Sequence, residues 1–203
     1  MLTAAMVTGH ARSTTSSWPK RPQFGKLAGG FRHRIVPVLG PISVKTPIDA
    51  PRERVYELLC DLANRPAFTD HFMSDYRLQR LESSGVGAAA RFRITQPGLW
   101  METVIDEVSP PHLIHERGAG GRWDRIPITT SWELIEPGPS GCEVTLRFWT
   151  GPSHPLDRLR EKLGAERYYR RQWSIALSRL KQLIESGRPP TRVVVAGAAR
   201  LPV

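Results

Sequence analysis

Cysteine is scarce: the 203 residues contain two, Cys60 in a helical pattern and Cys142 at the start of a strand pattern. Two such positions build neither a disulfide framework nor a metal-ligand spacing, so no metal and no cofactor is expected, and both thiols read as buried groups of a reducing compartment. No run of 18 apolar residues occurs, so no transmembrane helix is expected. The first 40 residues hold neither the apolar stretch of a secretory signal nor a clear amphipathic repeat. A soluble, cytoplasmic protein is the expectation.

Acid is missing from both ends. Residues 1–40 carry six Lys or Arg and no Asp or Glu, and residues 188–203 carry three Arg and no acid. The formal charge of +10 is therefore terminal: the middle of the chain, with 20 basic and 19 acidic residues, is at +1. A folded nucleic-acid-binding domain carries its own basic face, which argues against DNA as a partner of the core. Residues 1–40 mix Ser13 to Ser17, Pro19, Pro22, Gly25, Gly29 and Gly30 with scattered cations. That composition cannot bury enough apolar surface to offset ordering entropy, so residues 1–40 are expected as a disordered basic extension and residues 188–203 as a flexible tail.

What is present begins at Pro41. Ile42, Val44 and Thr46 alternate with Ser43 and Lys45, as a half-buried strand requires. Asp49 and Pro51 then suit the opening of a short helix, with Val55, Leu58, Leu59 and Leu62 at helical spacing. A second short helix contains Pro66 near its start and Phe68 and Phe72 four residues apart on one face. From Ser74 to Thr150 six strands follow. Their inward sets read as Tyr76 and Leu78; Ala90, Phe92 and Ile94; Met101, Thr103 and Ile105; Leu113, His115 and Arg117; Ile126, Ile128, Thr130, Trp132 and Leu134; and Val144, Leu146 and Phe148. The chain closes with a long helical pattern from about His154 to Ser186, in which Leu156, Leu159, Leu163, Trp173, Leu177, Leu180 and Ile184 recur at three- and four-residue steps. The class is α+β: a bent antiparallel sheet of seven strands wrapped around a long C-terminal helix, with two short helices after the first strand.

Several phrases resemble one superfamily in their order along the chain. I-S-V-K-T-P-I-D-A-P-R-E-R-V-Y-E-L-L-C-D is similar to its first strand and helix, G-V-G-A-A-A-R-F-R to the hairpin into its third strand, V-I-D-E-V-S-P-P-H-L-I to its fourth-to-fifth strand turn, and S-W-E-L-I-E-P-G-P-S-G-C-E-V-T-L to its last hairpin. Over residues 41–187 the sequence resembles the START-related (SRPBCC) superfamily, and within it the polyketide cyclase/dehydrase and lipid-transport group. The resemblance implies a helix-grip fold with a hydrophobic cavity between sheet and helix. It does not imply a reaction, since members bind lipids, sterols, hormones and polyketides and only some catalyse.

Candidate ligand-binding residues follow from the inward positions. Tyr76, Trp132, Tyr169 and Trp173 are large rings with polar tips, suited to an amphipathic ligand. His115, on the face shared with Leu113 and Arg117, is either a ligand-contacting or proton-moving imidazole or a core histidine satisfied by its neighbours. Glu166 either lies inside, paired with Arg117 or Arg170, or is solvated if the helix turns Tyr169 inward instead. His112 and His115 lie three apart on a strand, point to opposite faces and cannot share a metal. The G-x-G-x-x-A spacing of Gly85, Gly87 and Ala90 runs into a strand, so it reads as a hairpin turn and not a dinucleotide loop. E-R-Y-Y-R-R-Q-W, with Arg158, Arg160 and Lys162, gives the long helix a basic outer stripe, either a solvated face or, together with the basic tails, a weak contact for an anionic membrane surface or RNA. The leading expectation is a non-catalytic binder or carrier of a lipid, quinone or polyketide. A cyclase-like enzyme using His115, Tyr169 or Glu166 is the alternative, and a ribosome- or membrane-contacting regulator the weaker one.

Overall fold

The computed structural model describes residues 41–138, 141–152, 154–155, 159 and 164–193. The expectations for residues 1–40, for residues 194–203 of the tail, and for Leu156, Arg158, Arg160, Lys162 and Leu163 lie outside the described residues. The elements are β1 (Ile42–Ile48), α1 (Arg52–Cys60), α2 (Pro66–Thr69), β2 (Met73–Leu78), β3 (Ala89–Ile94), β4 (Trp100–Ser109), β5 (Leu113–Gly120), β6 (Ile126–Gly138), β7 (Gly141–Thr150) and α3 (Glu166–Glu185). Short 3-10 turns occupy Leu62–Asn64 and Arg122–Asp124.

The strands form one antiparallel sheet in the order β1-β7-β6-β5-β4-β3-β2. From β2 to β7 each strand pairs with the next, and β1 adds to the far edge with Ile42 opposite Phe148 and Ile48 opposite Cys142. The sheet curls around α3, the architecture of a helix-grip fold. Tyr169, Trp173, Ala176, Leu177, Leu180 and Ile184 repeat at three- and four-residue steps and are all buried on one stripe of α3. They meet the inward residues of the sheet in a single core that includes Ile94, Ile105, Trp132, Leu134 and Leu146. Each such fully buried apolar side chain contributes roughly 1.5–3 kcal/mol.

Between β1 and β2 the chain is tied down locally. Asp49 does not cap α1; its amide donates to Glu185 Oε1 at 2.9 Å, and Pro51 occupies the cap position. Asp61 instead accepts from the Ala63 amide at 3.0 Å and fixes the 3-10 turn. Pro66 opens α2, and Phe68 and Phe72 are both buried against the core. Two residues of the segment expected as a flexible tail meet the same turn: Arg192 pairs with Asp61 at 2.5 Å, and the Val193 amide donates to the Ala63 carbonyl at 3.0 Å.

One strand sits in the opposite phase to its sequence reading. On β5 the inward residues are Ile114 and Glu116, while Leu113, His115 and Arg117 face out. Its only large apolar residues, Leu113 and Ile114, are adjacent, so period-two alternation leaves the face undetermined. Pairing decides it: Ile114 lies opposite Trp132 and Glu116 opposite Thr130, both on the inward phase of β6. On the other side a bulge in β4 leaves Asp106 unpaired between Ile105 and Glu107. Gly118 continues the inward phase of β5; a β-carbon there would lie 1.9 Å from the Glu102 carbonyl oxygen.

Candidate ligand-binding site

The space between sheet and α3 is filled mainly by rings. Trp132, fully buried on β6, meets the edge of Trp173 from α3 at 5.7 Å, and Trp173 in turn packs on Phe72 and Phe148. Tyr169, one helical turn before Trp173, tilts against Phe148 at 4.9 Å. Tyr76 stacks on Phe92 at 5.8 Å and donates its hydroxyl to the Leu62 carbonyl at 2.9 Å. Burial pushes the Tyr76 phenol well above its usual value, so it remains a neutral donor. These four aromatic candidates share one interior. In place of a ligand-sized cavity the rings leave a void of about 20 Å³, bordered by Arg65, Tyr76, Thr103, Glu116, Tyr169 and Trp173 among others.

A larger opening lies at the end of the sheet where α3 begins. A groove of about 240 Å³ runs between the β3–β4 turn (Gln96, Pro97, Leu99), the strand residues Met101, Ile126 and Thr150, and the start of α3 with the two residues before it (Gly164, Ala165, Tyr168, Tyr169). Its walls are predominantly apolar. Met101 and Tyr169 border both the groove and the inner void.

At the floor of the interior sits a polar cluster that sequence reasoning missed. Arg65 and Glu116, 4% and 2% exposed, are the buried charges among the described residues. Arg65 Nη2 donates to Glu116 Oε1 at 2.6 Å and, at 3.4 Å, to the Leu59 carbonyl. The same Glu116 oxygen accepts from Trp132 Nε1 at 2.8 Å, and Oε2 accepts from the Thr103 hydroxyl at 3.0 Å. The guanidinium lies over the Trp132 ring at 4.7 Å from its centroid. Arg65 Nε is buried with no hydrogen-bond partner among the described residues. Arg65 was hidden in a turn between two helices and Glu116 in the strand whose phase was misread; the inward threonines on β4 and β6 were the available signal that this part of the interior is polar.

The remaining candidates lie elsewhere. His115 and Arg117 are on the outer face of the sheet beside the bulged Asp106, whose Oδ2 is 2.8 Å from Arg117 Nε and 3.9 Å from His115 Nδ1. They face out because the β5 phase is one residue away from the expected one. Glu166 is half exposed and pairs with Arg170 at 2.8 Å, four residues on. In the first turn of α3 a carboxylate meets both the helix dipole and water, which costs far less than burial. Arg167 and Arg171 are exposed on the outer side of the helix.

Comparison with known proteins agrees with this architecture. The family described as polyketide cyclase / dehydrase and lipid transport matches residues 41–185. No curated protein matches the chain in sequence. Among solved structures, norcoclaurine synthase from Thalictrum flavum, a point mutant with a transition-state analogue, superposes with a TM-score of 0.59 at 10% identity, covering 74% of this chain and 96% of that one. The KanY protein gives 0.58 at 18% identity over 72% and 97%. Major latex-like protein 151 from Panax ginseng gives 0.51 at 15% identity over 74% and 98%. At these identities the likeness is one of fold.

Proposed function

The chain belongs to the polyketide cyclase / dehydrase and lipid transport family, and from that membership and the groove beside α3 we propose that it binds and carries a hydrophobic or amphipathic small molecule of the lipid, quinone or polyketide class. The observation that carries this reading is the 240 Å³ apolar groove, which shares Met101 and Tyr169 with the lining of the aromatic interior. Met101 is unbranched and adaptable, and Tyr169 projects from the first turns of α3, so rotamer changes at both extend the groove inward without moving the sheet. Ligand sites of this kind are concave, mostly apolar and supplied with a few polar groups.

Carriage is favoured over catalysis by the position of the chemistry-bearing side chains. His115 and Glu166, expected as acid-base groups of a cyclase, are on the outer face of the sheet and on the exposed start of α3. Tyr169 alone of that set borders the groove.

Native mass spectrometry of the purified protein, followed by solvent extraction, tests the reading. A discrete adduct of the lipid, quinone or polyketide class is expected, and Ala165→Trp, which fills the groove, is expected to remove it while the protein still melts cooperatively. A protein that stays free of adducts when challenged with all three classes would sink the proposal.

A further inference from the structure

A buried ion pair is a poor way to stabilise a core. Desolvation of the two charges offsets most of their attraction, and apolar residues of the same volume often serve as well or better. Arg65 and Glu116 are nevertheless held in a core that is otherwise mostly apolar and aromatic. Their position gives a reason. Both border the inner void, as do the hydroxyl-bearing residues Thr103 and Thr130. Thr103 is already committed to Glu116, whereas Arg65 Nε remains a buried donor with no partner among the described residues. Such an unpaired charged donor costs more than a made hydrogen bond returns, which marks it as a group awaiting an acceptor. The void, about 20 Å³, has room for a single oxygen-sized group.

We infer that the Arg65–Glu116 pair is the polar anchor of the ligand site. The ligand places a terminal hydroxyl or carbonyl oxygen in the void, where it accepts from the Arg65 guanidinium and, as a hydroxyl, also donates to the Glu116 carboxylate. Its apolar body passes between Met101 and Tyr169 into the groove. The ligand class is thereby narrowed to amphipathic molecules with an oxygen function at one end, such as phenols, hydroxyquinones or long-chain alcohols, over plain hydrocarbons. This inference rests on the binding function proposed above.

Two probes of the same shape separate the anchor from that function: 2-naphthol and 2-methylnaphthalene, which differ by a hydroxyl in place of a methyl. Both are titrated into the full chain by amide chemical-shift mapping. The wild type is expected to prefer 2-naphthol by about tenfold or more, the worth of a hydrogen bond to a charged group. In Arg65→Met/Glu116→Leu the ratio is expected to fall to about one, and in Glu116→Gln, which keeps shape and hydrogen bonding, to fall several-fold. Equal binding of the two probes to the wild type, or an undiminished ratio in either folded variant, overturns the anchor alone. Binding of neither probe overturns the anchor together with the groove as a ligand site.

Discussion

Removing Glu116 by itself should damage the protein more than removing it together with Arg65. In Glu116→Leu the guanidinium stays in place, almost wholly buried, with the 3.4 Å contact to the Leu59 carbonyl as its remaining hydrogen bond among those of the cluster. Stranding one member of a buried pair costs about 3–5 kcal/mol. In Arg65→Met/Glu116→Leu both charges are gone. What is left is the Trp132 indole N–H and the Thr103 hydroxyl, which lose the Glu116 oxygens in the single and the double variant alike. An orphaned buried donor costs about 1–3 kcal/mol, a loss common to both variants, so the double variant, which strands no charge, should be more stable than the single one. Equilibrium urea unfolding followed by tryptophan fluorescence measures both, and Trp132 and Trp173 lie within the affected core. Typical domain stabilities of about 5–15 kcal/mol leave such losses measurable. Strict additivity of the two single losses, or a cost under about 1 kcal/mol for Glu116→Leu, would refute the reasoning, because either result means that the charges are not coupled in a desolvated site.

Other expectations follow from the same packing. Gly118→Ala puts a β-carbon into the Glu102 carbonyl, so the β4–β5 contact must open; a loss of about 1–3 kcal/mol, read from the urea midpoint at unchanged slope, is expected. The Glu185 carboxyl is held below its ordinary value, first by the Asp49 amide and then by Lys181. Because its folded value is depressed, the stabilisation is present above the ordinary 4.5 and is lost as the pH falls through the lowered value. Glu185→Gln should therefore lower the melting temperature at pH 7 and make no difference in strong acid; a difference that persists there would contradict the assignment. Burial pushes the Cys142 thiol up to about 11, although Arg52 works against it. In the folded protein at pH 8 Cys142 should ignore an aromatic disulfide reagent and react only after urea is added, and rapid modification of the native protein would show that this thiol is accessible.

The order of elements was legible in the sequence because turn residues divide it into alternating segments, of which β3, β6 and β7 each carry three or more inward apolar residues. Ala90, Phe92 and Ile94, or Val144, Leu146 and Phe148, can satisfy a core in one phase only, and the structure buries those sets. The stripe from Trp173 to Ile184 likewise fixes which face of α3 meets the sheet. Tyr76, Trp132, Tyr169 and Trp173 face the interior for the same reason: they continue those periods. β5 offered no such period, with two adjacent apolar residues and a charge on either phase, and its face was set by pairing with β6 and by the bulge at Asp106. Glu166 was ambiguous on the helix wheel, and the availability of water and of Arg170 in the first helical turn resolved it outward. The polar floor was beyond the reach of any local pattern. Arg65 and Glu116 lie 51 residues apart, and their burial becomes tolerable only when the fold brings guanidinium, carboxylate, indole and hydroxyl within hydrogen-bonding distance. Periodicity reports which face of an element is apolar; whether a charge can be buried depends on partners that only the tertiary structure supplies.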